Sequence, residues 1–281
     1  MKKTISVITI TLLGIGSALA QETTAPAATA PADTQEDLLW NPTIDLRDLS
    51  ATITLGFEGE YVFRGSRQAD ESLQSSLDLS MPLYEGDLNF GIWNNNDLRS
   101  GGSTGGAAKN DDEIDLYASY AHPLTEDINV EFGYTHYWYP DSAPGNVTST
   151  NEVSLGFTKD YYVLWGATGY YDFDLEQTVV EFSTAYSYSL KDHGLPKTSI
   201  DCVAYYGVVD TREVNGSGPT NGYSYGGANL DVVYILNDVA SVSVGGRFAV
   251  NNDDSGPANG IAGSTSSEDS LWFGASVSMG F

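Results

Sequence analysis

Apolar and polar residues alternate with a period of two along most of the chain, beginning at Ala51. The segment LWFGASVSMGF, residues 271–281, shows the pattern most clearly. One face carries Leu271, Phe273, Ala275, Val277, Met279 and Phe281, and the other carries Trp272, Gly274, Ser276, Ser278 and Gly280. A small and polar face opposite an apolar face is typical of a β-strand that contacts lipid on one side.

Twelve segments carry this alternation, and turn-forming residues separate them. They span about 51–60, 73–81, 88–95, 112–121, 128–139, 151–160, 163–172, 178–190, 197–208, 223–236, 239–250 and 271–281. We therefore predict an all-β protein, a transmembrane antiparallel up-and-down β-barrel of about 12 strands. A soluble β-sandwich or a lipocalin-like barrel also alternates and also favours Tyr and Phe, so the period alone leaves that alternative open.

The connections between these segments alternate between long and short, which favours the membrane barrel. The short ones are YEGD, PLTED, KDYY, KDHGLP and ND, and the long ones begin near Arg64, Asn96, Pro140, Asp172, Val209 and Asn251. Long loops at one rim and tight turns at the other are typical of outer-membrane barrels, whose termini lie on the periplasmic, short-turn side.

Aromatic residues cluster near the ends of the predicted strands. The clusters contain Tyr134, His136, Tyr137, Trp138 and Tyr139, then Tyr161, Tyr162 and Trp165, and finally Tyr170, Tyr171 and Phe173. Rings of this kind are predicted to form girdles at the two headgroup levels of a membrane.

The chain divides into three parts by composition. Residues 1–20 combine two lysines, a short apolar run and the small-residue pattern Ala18-Leu19-Ala20, which predicts a cleaved secretory signal peptide rather than a membrane anchor. Residues 21–48 begin with QETTAPAATAPADTQE, which has no apolar periodicity, and are predicted to form a disordered periplasmic linker. Residues 49–281 are predicted to form the barrel.

The composition excludes several classes of protein. After the leader no stretch of about eighteen apolar residues occurs, so a multi-helix membrane protein is excluded. Loss of Lys2 and Lys3 leaves ten basic residues against thirty-eight acidic ones, which argues against nucleic acid as a partner. The single cysteine, Cys202, excludes an internal disulfide framework.

A family resemblance rests on the motifs GFEGEYVFRGSRQADESLQSSLDLSMP, FGIWNNND, EIDLYASYAHPLTEDINVEFGYTHYWYP and NEVSLGF, between Gly56 and Phe157. Their order resembles the TorF-type putative porin family, with its YxFRG-like, GxW and E-x-DLY strand motifs. The resemblance implies a channel in the bacterial outer membrane and a C-terminal aromatic, here Phe281, that the barrel-assembly machinery reads. It implies no particular substrate.

Charged residues on the predicted inner face are the pore-lining candidates. They are Glu58, Glu60, Asp78, Asp115, Glu131, Glu152, Glu181, Asp201, Asp231 and Arg247. Because lumen charge tunes ion selectivity, we predict passive diffusion of small hydrophilic solutes with a preference for cations. The alternative is that these carboxylates pair with arginines or hydroxyls and fill a narrow interior.

Arginines near the predicted long loops are candidates for the mouth of the pore. Arg64 ends the YVFRG motif, where Gly65 permits a turn with positive φ, and Arg67 and Arg99 follow in loops. We expect Arg64 to pair with a carboxylate more readily than to contact a solute.

Two other functional classes remain open at this stage, a rim enzyme acting on lipids and a non-conducting structural or adhesive barrel. No histidine has a serine at a motif spacing, so we predict no catalysis. The acidic runs at 111–113 and 251–254 lack the spacing of an EF-hand, so we predict no metal and no cofactor. Outer-membrane lipids and lipopolysaccharide are the expected surroundings.

Overall fold

A computed structural model describes residues 48–98, 112–140, 142, 147–211, 222–252 and 269–281. The predicted signal peptide and all of the predicted linker except its last residue lie outside these ranges, as do parts of the predicted long loops. Within them, no helix is long and apolar enough to cross a membrane.

The described residues form fourteen strands. These are β1 Ser50–Glu58, β2 Tyr61–Phe63, β3 Ser66–Ala69, β4 Ser72–Leu83, β5 Gly86–Asp97, β6 Glu113–Pro123, β7 Ile128–Trp138, β8 Ser149–Tyr161, β9 Val163–Asp172, β10 Gln177–Ser189, β11 Thr198–Thr211, β12 Tyr223–Asn237, β13 Ala240–Asn251 and β14 Asp269–Gly280. Twelve of them, β1 and β4 to β14, close an antiparallel barrel in chain order. The predicted fold class and strand number are confirmed.

The barrel closes where β1 pairs with β14. Their register places Thr52 opposite Gly280 and Glu58 opposite Gly274. Beyond the last pair, the Phe281 N–H donates to the Ala51 carbonyl at 2.8 Å, and the Ala51 N–H donates to the Phe281 carbonyl at 3.1 Å. The closed ring leaves no unpaired sheet edge, which is the condition for a sheet to lie in hydrocarbon.

The two faces of the wall differ sharply in chemistry. The outer face exposes large apolar side chains on every side of the barrel, including Leu55, Leu77, Ile92, Leu116, Phe132, Leu155, Phe182, Val208, Leu230, Val244 and Phe273. Most of the residues between them point inward and are small or polar, as with Thr54 and Glu58 on β1 or Ser72, Gln74 and Ser76 on β4. This is the alternation of an outer-membrane barrel wall, with lipid-compatible groups outside and polar groups inside.

The two ends of the barrel differ in the length of their connections. We call the end that carries the start of β1, Phe281 and the tight turns the turn end, and the opposite one the loop end. One prediction at the loop end is wrong, because Asp172 does not begin a long loop. Its carboxylate accepts the backbone N–H groups of Asp174 and Leu175 at 2.9 and 2.8 Å and caps a short turn into β10.

A substitution tests whether the outer face of the wall contacts lipid. Phe182 points outward near the middle of β10 and is 55% exposed. Phe182→Arg is expected to lower the free energy of unfolding in lipid vesicles by about 2–4 kcal/mol, because the charge would sit in hydrocarbon. Urea titration of the refolded protein measures it. Leu236→Arg, at the turn end of β12, is the control and should cost about 0–1 kcal/mol. Equal costs at both sites would contradict the membrane-facing assignment.

Candidate functional site: the lumen and its inner hairpin

A short hairpin made of β2 and β3 lies inside the barrel at the loop end. Every residue from Tyr61 to Ser66 is buried. The Tyr61 ring packs 5.3 Å from Trp93 of β5, and the Phe63 ring lies 6.0 Å from Tyr137 of β7. The connection from β1 to β4 therefore folds back into the lumen instead of projecting away from the wall.

The far side of the hairpin is held by the opposite part of the wall. Tyr223 of β12 donates its hydroxyl to the Arg64 carbonyl at 3.1 Å, and the Asn251 amide of β13 donates to the Gly65 carbonyl at 2.6 Å. Because β5 and β7 contact its other side, the hairpin spans the lumen. We call Tyr61–Ala69 the inner hairpin.

The turn of the inner hairpin requires glycine at one position. Arg64 and Gly65 have φ values of 47° and 75°, both in the left-handed region. A Cβ on Gly65 would collide with the Tyr225 side chain and approach the wall at Asn251. Glycine thus allows both the turn and the close contact with β12.

Arg64 forms a buried ion pair with a carboxylate of the wall. Its two terminal nitrogens donate to the two oxygens of Glu152 at 2.8 Å each, and the Tyr137 hydroxyl donates to the same carboxylate at 3.0 Å. The guanidinium carbon lies 4.7 Å from the ring centres of both Phe63 and Tyr170. This combines a two-pronged, charge-assisted contact with cation–π stacking on two sides.

Arg64 stays protonated although its side chain is buried. Burial alone would lower the pKa of the guanidinium, but the adjacent Glu152 carboxylate raises that pKa well above its ordinary value. The tip of the inner hairpin therefore carries a fixed positive charge.

A second buried ion cluster lies beside the closure of the barrel. Arg247 of β13 contacts Asp231 of β12 at 2.9 Å and Glu58 of β1 at 3.6 Å. The Trp272 indole N–H donates to Glu58 at 2.8 Å. This cluster links four strands across the seam.

Several of the other inward carboxylates accept hydrogen bonds from hydroxyl groups. Tyr61 donates to Glu113 at 2.8 Å and Tyr225 donates to Glu181 at 2.6 Å. Ser187 donates to Asp201 at 2.6 Å, while Asp78 accepts from Tyr117 and Ser76. Among the described residues, Arg64 and Arg247 are the two buried basic side chains. Carboxylates thus outnumber cations in the lumen, and its net charge is negative when they are ionised.

A comparison with protein families identifies the chain. The family model described as "Bacterial protein of unknown function (Gcw_chp)" matches residues 47–239, which is more than half of the sequence. The chain belongs to this family. The match does not confirm the TorF-type resemblance, which stays a prediction. No curated protein matches this Gcw_chp chain significantly.

Solved outer-membrane barrels resemble the Gcw_chp chain in fold. The NanC porin is 11% identical, with 82% of this chain and 98% of that chain covered and a TM-score of 0.46. A COG4313 outer membrane channel from Pseudomonas putida F1 is 8% identical, with 88% and 100% covered and a TM-score of 0.49. LpxR from Salmonella typhimurium is 10% identical, with 82% and 99% covered and a TM-score of 0.46. At such identities the likeness concerns the barrel fold alone.

The structure places nine of the ten pore-lining candidates on inward positions of the barrel strands. These are Glu58, Asp78, Asp115, Glu131, Glu152, Glu181, Asp201, Asp231 and Arg247. The tenth, Glu60, follows the end of β1 and has a buried carboxylate oxygen at the base of the inner hairpin. It was predicted on a strand and lies in a connection.

The three mouth candidates have different positions. Arg64 was predicted at an outer loop, and this is wrong. It is buried in the lumen, because its hairpin folds inward. Arg67 is partly exposed on the inner hairpin and contacts Asp70 at 3.5 Å. Arg99 lies outside the described residues.

The aromatic clusters divide between two roles. Trp138, Tyr171 and Phe173 face outward at the loop end, and Tyr161, Tyr162 and Trp165 face outward at the turn end, as predicted for girdles. Tyr137, Tyr139 and Tyr170 were predicted in the same girdles but are buried inside, around the inner hairpin. The inward parity of Tyr137 on β7 and Tyr170 on β9 is the sequence signal that aromatic side chains pack inside the lumen.

The histidines lie apart from the lumen. His136 faces outward beside Asn151, with Nδ1 2.9 Å from the amide oxygen, and His193 contacts the Tyr188 hydroxyl at 2.8 Å. His122, predicted in a turn, is on β6 and stacks on Tyr120. The described residues contain no group of three or more His, Cys, Asp or Glu that would hold a metal ion.

Proposed function

We propose that the barrel is an outer-membrane channel that passes small hydrophilic solutes by diffusion and prefers cations. The observation that carries the proposal is the excess of inward carboxylates over the two buried arginines, Arg64 and Arg247, inside a wall whose outer face is apolar. Fixed negative charge in a narrow, low-dielectric passage attracts cations and repels anions.

The inner hairpin narrows this channel. Twelve strands enclose less space than the sixteen strands of open porins and more than eight-stranded barrels, which side chains fill. Because the inner hairpin spans the loop end, the free passage there is smaller than the wall alone would allow. We infer a low conductance and a limit to small solutes.

Ion selectivity tests the proposal. In planar bilayers under a salt gradient, the purified barrel is expected to conduct and to give a reversal potential of cationic sign. Glu131→Gln with Asp201→Asn should lower the cation preference, because both carboxylates face inward on the wall. Glu126→Gln with Asp192→Asn, in exposed turns at the turn end, is the matched control and should leave it unchanged. A reversal potential of anionic sign would refute the cation preference.

A non-conducting barrel is the second candidate function, and one observation favours it. The inner hairpin fills the loop end, and hydroxyls or arginines contact many of the carboxylates. A barrel of this kind would act through its loops, in adhesion or in envelope integrity. Absence of current from correctly folded protein would favour this function over the channel.

We also propose that the protein acts without catalysis. His136 has an orienting Asn151, but no nucleophilic hydroxyl is among its contacts in the described residues. Fatty acid release from vesicles that contain the protein, lost on His136→Ala, would contradict this. Lipopolysaccharide around the wall, and the barrel-assembly machinery at the 71% exposed Phe281, are the partners we propose.

A further inference from the structure

The groups that surround the Arg64 guanidinium belong mainly to the barrel wall. Glu152 comes from β8, the Tyr137 hydroxyl from β7 and the Tyr170 ring from β9, and only Phe63 comes from the inner hairpin itself. Three adjacent strands thus supply a site made of groups that lie outside the inner hairpin. We call Glu152, Tyr137 and Tyr170 the wall site.

A further carboxylate next to the wall site has an oxygen atom that could accept another hydrogen bond. Glu181 is 4% exposed, and its Oε2 accepts the Tyr225 hydroxyl. Its other oxygen, Oε1, is buried without a hydrogen-bond partner among the described residues. Glu181 lies close enough to interact electrostatically with both Arg64 and Glu152. A buried acceptor of this kind lowers its free energy by taking a donor.

We propose that the wall site binds the guanidinium group of a permeating solute, and that Arg64 occupies this site until such a solute competes for it. This deepens the proposed function and rests on it, because the solute must enter the lumen. Exchange of one guanidinium for another leaves the charge at Glu152 balanced. It also releases the tip of the inner hairpin from its ion pair with the wall.

The geometry selects a guanidinium over an ammonium group. Glu152 is contacted by two parallel N–H donors, a fork that a planar guanidinium provides and a single ammonium does not. The Tyr170 ring offers a flat face at 4.7 Å, which suits a planar, weakly hydrated cation.

Arg64 competes with the solute from a tethered position. A group held next to its site acts at a high effective concentration, so the wild-type protein should bind free guanidinium compounds weakly. Removal of the Arg64 side chain should therefore strengthen binding, while loss of the Glu152 charge should abolish it.

Calorimetric titration of the folded barrel in detergent micelles with argininamide tests the proposal. Arg64→Ala is expected to bind at least tenfold more tightly than the wild-type protein, and Arg64→Lys to lie between them. Glu152→Gln combined with Arg64→Ala should not bind. Lysinamide is the control ligand and should bind at least tenfold more weakly than argininamide to Arg64→Ala. Arg67→Ala, which removes the partly exposed arginine of the same hairpin, should match the wild-type protein.

Two results would overturn the proposal. One is equal affinity of the wild-type protein, Arg64→Lys and Arg64→Ala for argininamide, and the other is binding that persists without the Glu152 charge. If Arg64→Ala does not fold, the affinities of Arg64→Lys and the wild-type protein for argininamide decide whether Arg64 competes for the site. Binding in micelles does not depend on conduction. A barrel that binds argininamide but does not conduct would therefore contradict only the proposed channel function. A barrel that conducts but does not bind argininamide would contradict only the proposed role of the wall site.

Discussion

Replacement of the inner hairpin, Tyr61–Ala69, by a short Gly-Ser linker is expected to increase single-channel conductance severalfold. The linker would join the neighbouring strands β1 and β4 at the loop end, while all twelve wall strands and their pairing stay in place. The lumen would lose a buried segment that spans it, and the aromatic side chains of Tyr137 and Trp93 would line open space. Recordings in planar bilayers measure the change.

A matched truncation controls for general damage to the barrel. Residues Lys191–Leu195 form an exposed turn between β10 and β11 that has no contact with the lumen among the described residues. A shortened version of this turn should leave the conductance unchanged. Equal conductance of the hairpin-replaced and wild-type proteins would show that the inner hairpin does not limit the passage.

Glu152→Gln is expected to destabilise the folded barrel by about 3–5 kcal/mol. The substitution would leave the Arg64 guanidinium buried without its counter-charge, and the loss of one partner of a buried ion pair has a cost of this size. Both side chains are nearly inaccessible, at 6% and 3% exposure. Urea unfolding of the protein in lipid vesicles, followed by tryptophan fluorescence, measures the loss.

An exposed ion pair at the base of the same hairpin provides the comparison. Arg67 and Asp70 are 36% and 41% exposed at a separation of 3.5 Å, so Asp70→Asn should cost less than about 1 kcal/mol. Arg64→Met combined with Glu152→Gln should regain part of the stability lost in Glu152→Gln alone, because it removes the unpaired charge. A loss in Glu152→Gln no larger than in Asp70→Asn would contradict the buried pair as a main anchor of the inner hairpin.

The sequence was sufficient to predict the wall of the barrel. A strand with lipid on one face and polar groups on the other must alternate with a period of two, and a slip of one residue would exchange the faces. The segment 271–281 therefore predicted both the strand β14 and its orientation, with Leu271 outside and Trp272 inside. The same reasoning placed the carboxylates of Glu152 and Glu181 on inward positions.

The inner hairpin could not be predicted in the same way. β2 and β3 have three and four residues, too few for a period to appear, and β2 is buried at every position, so its residues do not alternate. The ion pair that holds it joins Arg64 to a residue 88 positions away, and local pattern carries no information on such a contact. The inward parity of Tyr137 and Tyr170 was the available signal, but aromatic residues near strand ends are equally typical of girdles.

The ion cluster of Glu58, Asp231 and Arg247 combines a contact between neighbouring strands with contacts that require the barrel to be closed. Arg247 meets Asp231 as soon as the neighbouring strands β12 and β13 pair. Glu58 meets Arg247 and the Trp272 indole, 214 positions away, only when the first and last strands join. Gly274 leaves the space for its carboxylate at that junction. The contacts that Glu58 makes with Arg247 and Trp272 therefore exist only when the circumference is complete.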